Sequence, residues 1–137
     1  MVDAPSKRQP TFCRMVVSGP QDVLVDLALD SPPTLGSAAS VAGPTFAVEE
    51  LAGRKTIALF DRAEARDFAD VYALAQRYGK ETLLARASDI DPGFDTAVFA
   101  DMLRTLNRFT DDELPTDPTE IQHLRNFFAT WATDLQT

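Results

Sequence analysis

Polar and apolar residues alternate most regularly in Asp22-Val23-Leu24-Val25-Asp26-Leu27-Ala28-Leu29-Asp30, where every odd position is aliphatic and three of the five even ones are aspartate. A period of two predicts a strand over 22–30. A second strand is predicted over 11–18, joined to the first by the turn Ser18-Gly19-Pro20-Gln21. Together they make an antiparallel hairpin. The following stretch, from Ser31 to Pro44, reads as loop by composition.

From Val48 onward the period lengthens to that of helices. They are predicted over 48–61, 64–78 with Gly79 as the stop, 81–90 before the break Asp91-Pro92-Gly93, and 95–108. A last one opens at Asp117-Pro118-Thr119-Glu120 as cap, first-turn proline and acid. The helix over 95–108 is expected to bury Val98, Phe99, Met102, Leu103 and Leu106. The last is expected to bury Ile121, Leu124, Phe127, Phe128, Trp131 and Leu135. The expected fold is therefore α+β, a small antiparallel β-hairpin followed by a bundle of about five helices. Residues 1–10 are read as a flexible leader and 11–137 as one domain, with 11–47 the hairpin and loop and 48–137 the helical part. Two strands alone do not make a stable sheet. They are expected to dock on the helices or on strands supplied from elsewhere.

In the first helix one position breaks its own pattern. About 100° per residue puts Val48, Leu51, Ala52, Ala58 and Leu59 on one arc, with Lys55 at its centre. An ammonium on an apolar face loses hydration unless an anion meets it. The next helix supplies anions in Arg66-Asp67-Phe68-Ala69-Asp70. There Asp67 projects inside the buried arc of Phe68, Val71, Leu74, Ala75 and Tyr78, while Asp70 lies at its edge beside Arg66 and Arg77. Consecutive helices on a short loop pack antiparallel, which brings Lys55 toward these acids. A fixed lysine near paired carboxylates suits a site that handles a nucleotide's phosphates. Each residue also has an ordinary explanation. Asp67 favours the helix dipole, Asp70 pairs with Arg66, and Lys55 snorkels past its own stem. Asp26 stands on the strand either as one of three solvated aspartates or as a rigid carboxylate able to hold Mg²⁺.

Charge sharpens this picture. The 137 residues carry a net charge of −8, which argues against nucleic-acid binding through a broad basic surface. The balance is −3 over residues 1–53, +2 over 54–86 and −7 over 87–137, so the one net-positive stretch is the one holding Lys55. A single cysteine, Cys13, allows no internal disulfide and reads as a packed thiol. His123 falls outside the apolar arc of the last helix. No apolar run is long enough to span a membrane, and the N-terminal ten residues lack the apolar core of a signal peptide. The expected location is the cytoplasm.

Four stretches together carry a family likeness. They are Val25-Asp26-Leu27-Ala28, the run from Glu50 to Leu59, the run from Arg66 to Leu74, and Asp91-Pro92-Gly93-Phe94-Asp95. Over residues 23–109 the chain resembles the abortive-infection nucleotidyltransferase toxins of AbiEii/AbiGii type, of the polymerase-β-like superfamily. The resemblance implies part of a nucleotidyltransferase fold and transfer of a nucleoside monophosphate from a nucleoside triphosphate to RNA, with tRNA the expected acceptor. It also implies Mg²⁺ as cofactor and a cognate antitoxin as partner. By the same resemblance Asp26, Lys55 and Asp70 are the catalytic residues, and Lys55 contacts triphosphate. By it, too, Asp67 and Asp70 are the acidic pair of the last motif and orient Lys55 and the nucleotide, and Arg66 and Asp67 join Lys55 in substrate binding. Asp26 is the third carboxylate and the metal residue. The family's first motif, a Gly-Ser followed by Asp-x-Asp on a strand, belongs upstream of Asp26, where this sequence has none; Gly36-Ser37 lies downstream. The enzyme reading therefore implies a chain that is weak or inactive alone, and that is truncated, mis-started or completed by another chain. The alternatives are a non-catalytic remnant and a helical interaction module, both working by binding a protein.

Overall fold

A computed structural model describes residues 7–9 and 11–137. The remaining residues of the expected leader lie outside the described ones, while Lys7–Gln9 form a first strand, β1. The chain divides into two compact units at Pro32/Pro33. In the N-terminal unit, β1, β2 (Phe12–Val17) and β3 (Val23–Ala28) form an antiparallel sheet in that order. The predicted hairpin is β2–β3, with Met15 opposite Val25 and Arg14 opposite Asp26. β1 adds a third strand that the sequence pattern did not call for.

The second unit opens with a correction. The stretch read as loop contains a small hairpin, β4 (Ala38–Ser40) and β5 (Gly43–Thr45). Gly43 takes φ +105°, open to glycine without strain. The Ser40 hydroxyl closes the turn, donating to Gly43 O at 2.8 Å and accepting from Ala42 N at 3.2 Å. Two three-residue strands containing glycine and proline carry no legible period.

Five helices follow: α1 (Val48–Asp61), α2 (Ala65–Tyr78), α3 (Lys80–Ile90), α4 (Thr96–Arg104) and α5 (Ile121–Asp134). The fold is α+β, an antiparallel hairpin followed by five helices, as the pattern predicted. Gly79, at φ +84°, stops α2 and starts α3. Asp95 caps α4 by accepting from Val98 N at 3.0 Å. Two boundaries differ from expectation. The helix over 95–108 is α up to Arg104 and a 3-10 turn over Thr105–Arg108, a common tightening at a helix end. At Asp117 the carboxylate turns onto Thr119, taking its N–H at 2.9 Å and its hydroxyl at 2.8 Å. That local bond replaces a helix cap, and α5 begins only at Ile121.

The core is aromatic. Phe68 of α2 meets Phe128 of α5 edge to face at 5.2 Å, and Phe99 of α4 meets Trp131 of α5 at the same distance. Leu59 from α1, Leu83 from α3 and Leu103 from α4 complete it. Val98, expected inside, is exposed. The larger surprise is α1. Its buried residues are Glu50, Ala52, Gly53, Thr56 and Leu59, while Val48 and Leu51 face outward. The buried face is thus turned by roughly a quarter of the helix circumference from the apolar arc. Small side chains explain the turn. At Gly53 an added Cβ would lie 2.7 Å from Ile90 Cδ1 and 2.8 Å from Arg86 Cβ, so α3 packs against α1 where bulk is least.

Candidate functional site

The turned face of α1 moves Lys55 from the centre of a buried arc to its edge. Its side chain is 33% exposed and its ammonium donates to Asp70 Oδ2 at 2.9 Å. Asp70, on α2, is 41% exposed. The antiparallel packing of α1 and α2 thus brings together two of the residues singled out from the sequence. Asp70 takes Lys55 rather than Arg66, which lies 3.3 Å from Glu64 instead.

Asp67 is fully buried, as its place on α2 predicted, but its partner is Arg62. Arg62 Nε donates to Asp67 Oδ2 and Arg62 Nη2 to Asp67 Oδ1, both at 2.8 Å. The Glu64 N–H adds a third bond to Oδ2 at 3.0 Å, closing the first turn of α2. Burial pushes the Asp67 carboxyl up. The two Arg62 bonds, the Glu64 N–H and the charges of Arg62 and Arg66 outweigh it, leaving the pKa below its ordinary value. The hydrogen bond to Asp67 in turn holds the Arg62 pKa above its ordinary value.

The result is a ladder of two rungs between α1 and α2, Lys55–Asp70 and Arg62–Asp67. Arg62, not singled out from the sequence, caps the end of α1 one position past Asp61. Ala63, buried and at φ +50°, makes the corner between the two helices.

A second buried acid had also gone unread. Glu50 is fully buried and accepts from Thr34 N at 3.1 Å, Thr34 Oγ1 at 2.6 Å, Leu35 N at 3.3 Å and Arg54 Nη2 at 3.2 Å. Burial raises its pKa, and the Thr34 and Leu35 bonds with the Arg54 charge bring it below the ordinary carboxylate value. Glu50 is an anchor for the 34–35 backbone on the first turn of α1.

Asp26 belongs to the N-terminal unit. Both its oxygens lie on Arg14, at 2.7 and 2.8 Å, and those hydrogen bonds hold its pKa below the ordinary value. The sequence does contain an Asp-x-Asp, Asp89-Ile90-Asp91, but it closes α3 instead of lying on a strand. Asp89 pairs with Arg86 at 3.0 Å and Asp91 accepts from Gly93 N at 2.8 Å. Among the described residues no group of three or more His, Cys, Asp or Glu is placed to hold a metal. Of Asp26, Asp67 and Asp70, only Asp70 keeps an oxygen, Oδ1, without a partner among the described residues. That single open oxygen could supply one contact to a divalent ion, whose other ligands would have to come from phosphate and water. His123 is exposed, 3.6 Å from Glu120, in keeping with a solvated residue. No helix among the described residues is long and apolar enough to cross a membrane.

A family model described as "Nucleotidyl transferase AbiEii toxin, Type IV TA system" matches residues 11–136. No match was found among curated proteins, nor among solved structures. The chain belongs to the AbiEii nucleotidyltransferase toxin family.

Proposed function

From that membership and from the Lys55–Asp70 pair, we propose that the chain binds a nucleoside triphosphate at the α1–α2 ladder and serves transfer of its nucleoside monophosphate to RNA, with tRNA the acceptor. The observation that carries this reading is the state of Lys55. An ion pair this exposed contributes only about 0–1 kcal/mol to stability, so stability alone gives little reason for it. A carboxylate at 2.9 Å holds the ammonium in one place, and a triphosphate, with more negative charge, displaces it. In this scheme Lys55 holds the triphosphate, Asp70 orients Lys55 before the nucleotide arrives, and Arg66 contributes from the exposed rim. Mg²⁺, when bound with the nucleotide, neutralises triphosphate charge, and Asp70 Oδ1 is the ladder atom open to it. Asp26 serves as a metal carboxylate only by exchanging Arg14 for the ion. The Gly-Ser/Asp-x-Asp motif, with no counterpart upstream of Asp26 in these 137 residues, is supplied in this reading by another segment or chain. The antitoxin of the family's toxin–antitoxin systems is the proposed cognate partner, and the cytoplasm, where triphosphates and tRNA meet, the proposed location.

Expression in a bacterial host, paired with incubation of the protein with α-labelled triphosphates, Mg²⁺ and total tRNA, tests the reading. Triphosphate binding is expected from the wild-type chain itself. Growth arrest with labelled tRNA is expected where the segment or chain carrying the Gly-Ser/Asp-x-Asp motif is present, and arrest and labelling are both expected to disappear in Lys55→Ala and Asp70→Ala. A harmless wild-type chain that neither labels RNA nor binds triphosphate would remove the enzyme reading and leave the protein-binding alternatives.

A further inference from the structure

Arg62 is held for a purpose that the corner between α1 and α2 does not use up. Its Nε–Nη2 edge is fixed on Asp67, whose oxygens accept three hydrogen bonds and are sealed from solvent. The opposite side of the guanidinium is different. Nη1 carries two N–H groups with no partner among the described residues, and the side chain is 44% exposed. Arg62 follows directly on the last turn of α1, and its guanidinium and the Lys55 ammonium are held by carboxylates one turn apart on α2, Asp67 and Asp70. Two cations fixed on neighbouring acids are within reach of successive phosphates of one chain. Lys55, Arg62 and Arg66 are balanced by Glu64, Asp67 and Asp70. The cluster therefore has no net charge with which to attract an anion. What remains for an anion is donors: the ammonium of Lys55 once Asp70 is displaced, and the Nη1 group of Arg62, which needs no displacement.

We infer that Arg62 is a second phosphate-binding residue of the nucleotide site, presenting Nη1 to the triphosphate, and that Asp67 is its positioning residue and not a nucleotide ligand. This rests on the reading of Lys55 as the triphosphate lysine and adds to it a division of labour. One cation is exchangeable and the other is rigid. Lysine cannot replace Arg62, because a single ammonium cannot satisfy both Asp67 oxygens and still reach outward.

Calorimetric titration of the full chain with a nucleoside and its mono-, di- and triphosphate, all in Mg²⁺, measures what each phosphate adds. In the wild type affinity is expected to rise along the series. In Arg62→Lys and Arg62→Gln the triphosphate is expected to bind about tenfold more weakly or worse, the scale of one lost charge-assisted bond, with nucleoside affinity unchanged. Asp67→Asn is expected to lose part of the same increment. Nitrogen-15 spectra of the wild-type arginine side chains supply a readout that needs no variant to fold. Inorganic triphosphate is expected to shift the Arg62 Nη signals. Variants that fold, melt earlier and keep the whole phosphate increment, or Arg62 signals that do not move, would make Arg62 only a clasp for the helix corner and overturn the inference. If the wild type shows no phosphate increment at all, and Lys55→Ala changes nothing, the nucleotide site itself falls.

Discussion

Replacing Asp67 by asparagine removes one charge and, with it, an arrangement an amide cannot reproduce. Three donors converge on the carboxylate, Arg62 Nε and Glu64 N on Oδ2 and Arg62 Nη2 on Oδ1. With its carbonyl at the Oδ2 position, asparagine keeps two of these bonds and sets its NH₂ against Nη2. Turned the other way it loses two. Breaking one partner out of a buried ion pair costs about 3–5 kcal/mol. The guanidinium is 44% exposed and regains water, which brings the expected loss to about 2–3 kcal/mol. For a domain of this size that lowers the melting midpoint by about 6–12 °C. Asp70→Asn breaks an ion pair exposed at both ends and is expected to cost no more than about 1 kcal/mol. The buried Trp131 lies in the helical unit and reports its unfolding by fluorescence. If the two variants unfold within about 0.5 kcal/mol of each other, a difference within the scatter of surface substitutions, the buried rung does not anchor the helix pair.

Acid is expected to destabilise the helical unit in a defined window. Glu50 and Asp67 both have folded-state pKa values below their unfolded ones. Their contribution is complete above the unfolded values of about 4.3 and 3.9, and is lost as the pH falls through the folded ones. Urea midpoints at pH 7, 5, 4 and 3 should hold between the first two and drop below pH 4, less steeply in Asp67→Asn; a flat profile down to pH 3 contradicts the assignment. Gly53→Ala sets two effects against each other. Alanine gains about 1 kcal/mol in helix propensity, but overpacking costs about 1–3 kcal/mol. Ile90 Cδ1 can swing aside, whereas Arg86 Cβ and its backbone carbon, at 2.8 and 3.2 Å, cannot. The thermal midpoint should fall by a few degrees, and a rise would show slack between α1 and α3.

The long helices were legible because each carries enough turns for its period to show. That Lys55 would meet an acid of α2 was legible because short loops force antiparallel neighbours; that the acid is Asp70, and not Asp67, was not. The buried face of α1 was misplaced for a physical reason. Apolar side chains mark a face by hydrophobicity, but close packing here is set by the absence of bulk at Gly53 and by Thr56, which returns its hydroxyl to Ala52 O at 2.9 Å. Glu50 looked like an ordinary first-turn acid, since its partners Thr34 and Leu35 lie fifteen or more residues away in a segment without pattern. Arg62 was not legible in the same way, because it lies just past the last turn of α1, at φ −130°, where helix periodicity no longer says which way a side chain points.

The two rungs also explain how one helix pair serves as both core and site. If both were buried, the lysine could not exchange its partner. If both were exposed, nothing would fix the cations relative to each other. Here Asp67 roots one rung in the core beside Phe68, which packs on Phe128, and three residues later Asp70 has emerged on the edge of the same helix. The fixed rung sets the register of α1 against α2, and the exchangeable rung inherits its geometry from that register. Damage to the fixed rung should therefore reach the site twice, through stability and through the position of Lys55. Damage to the exchangeable rung should change anion binding alone. Comparing stability with triphosphate affinity across Asp67→Asn and Asp70→Asn separates the two, because only the first is expected to lower both.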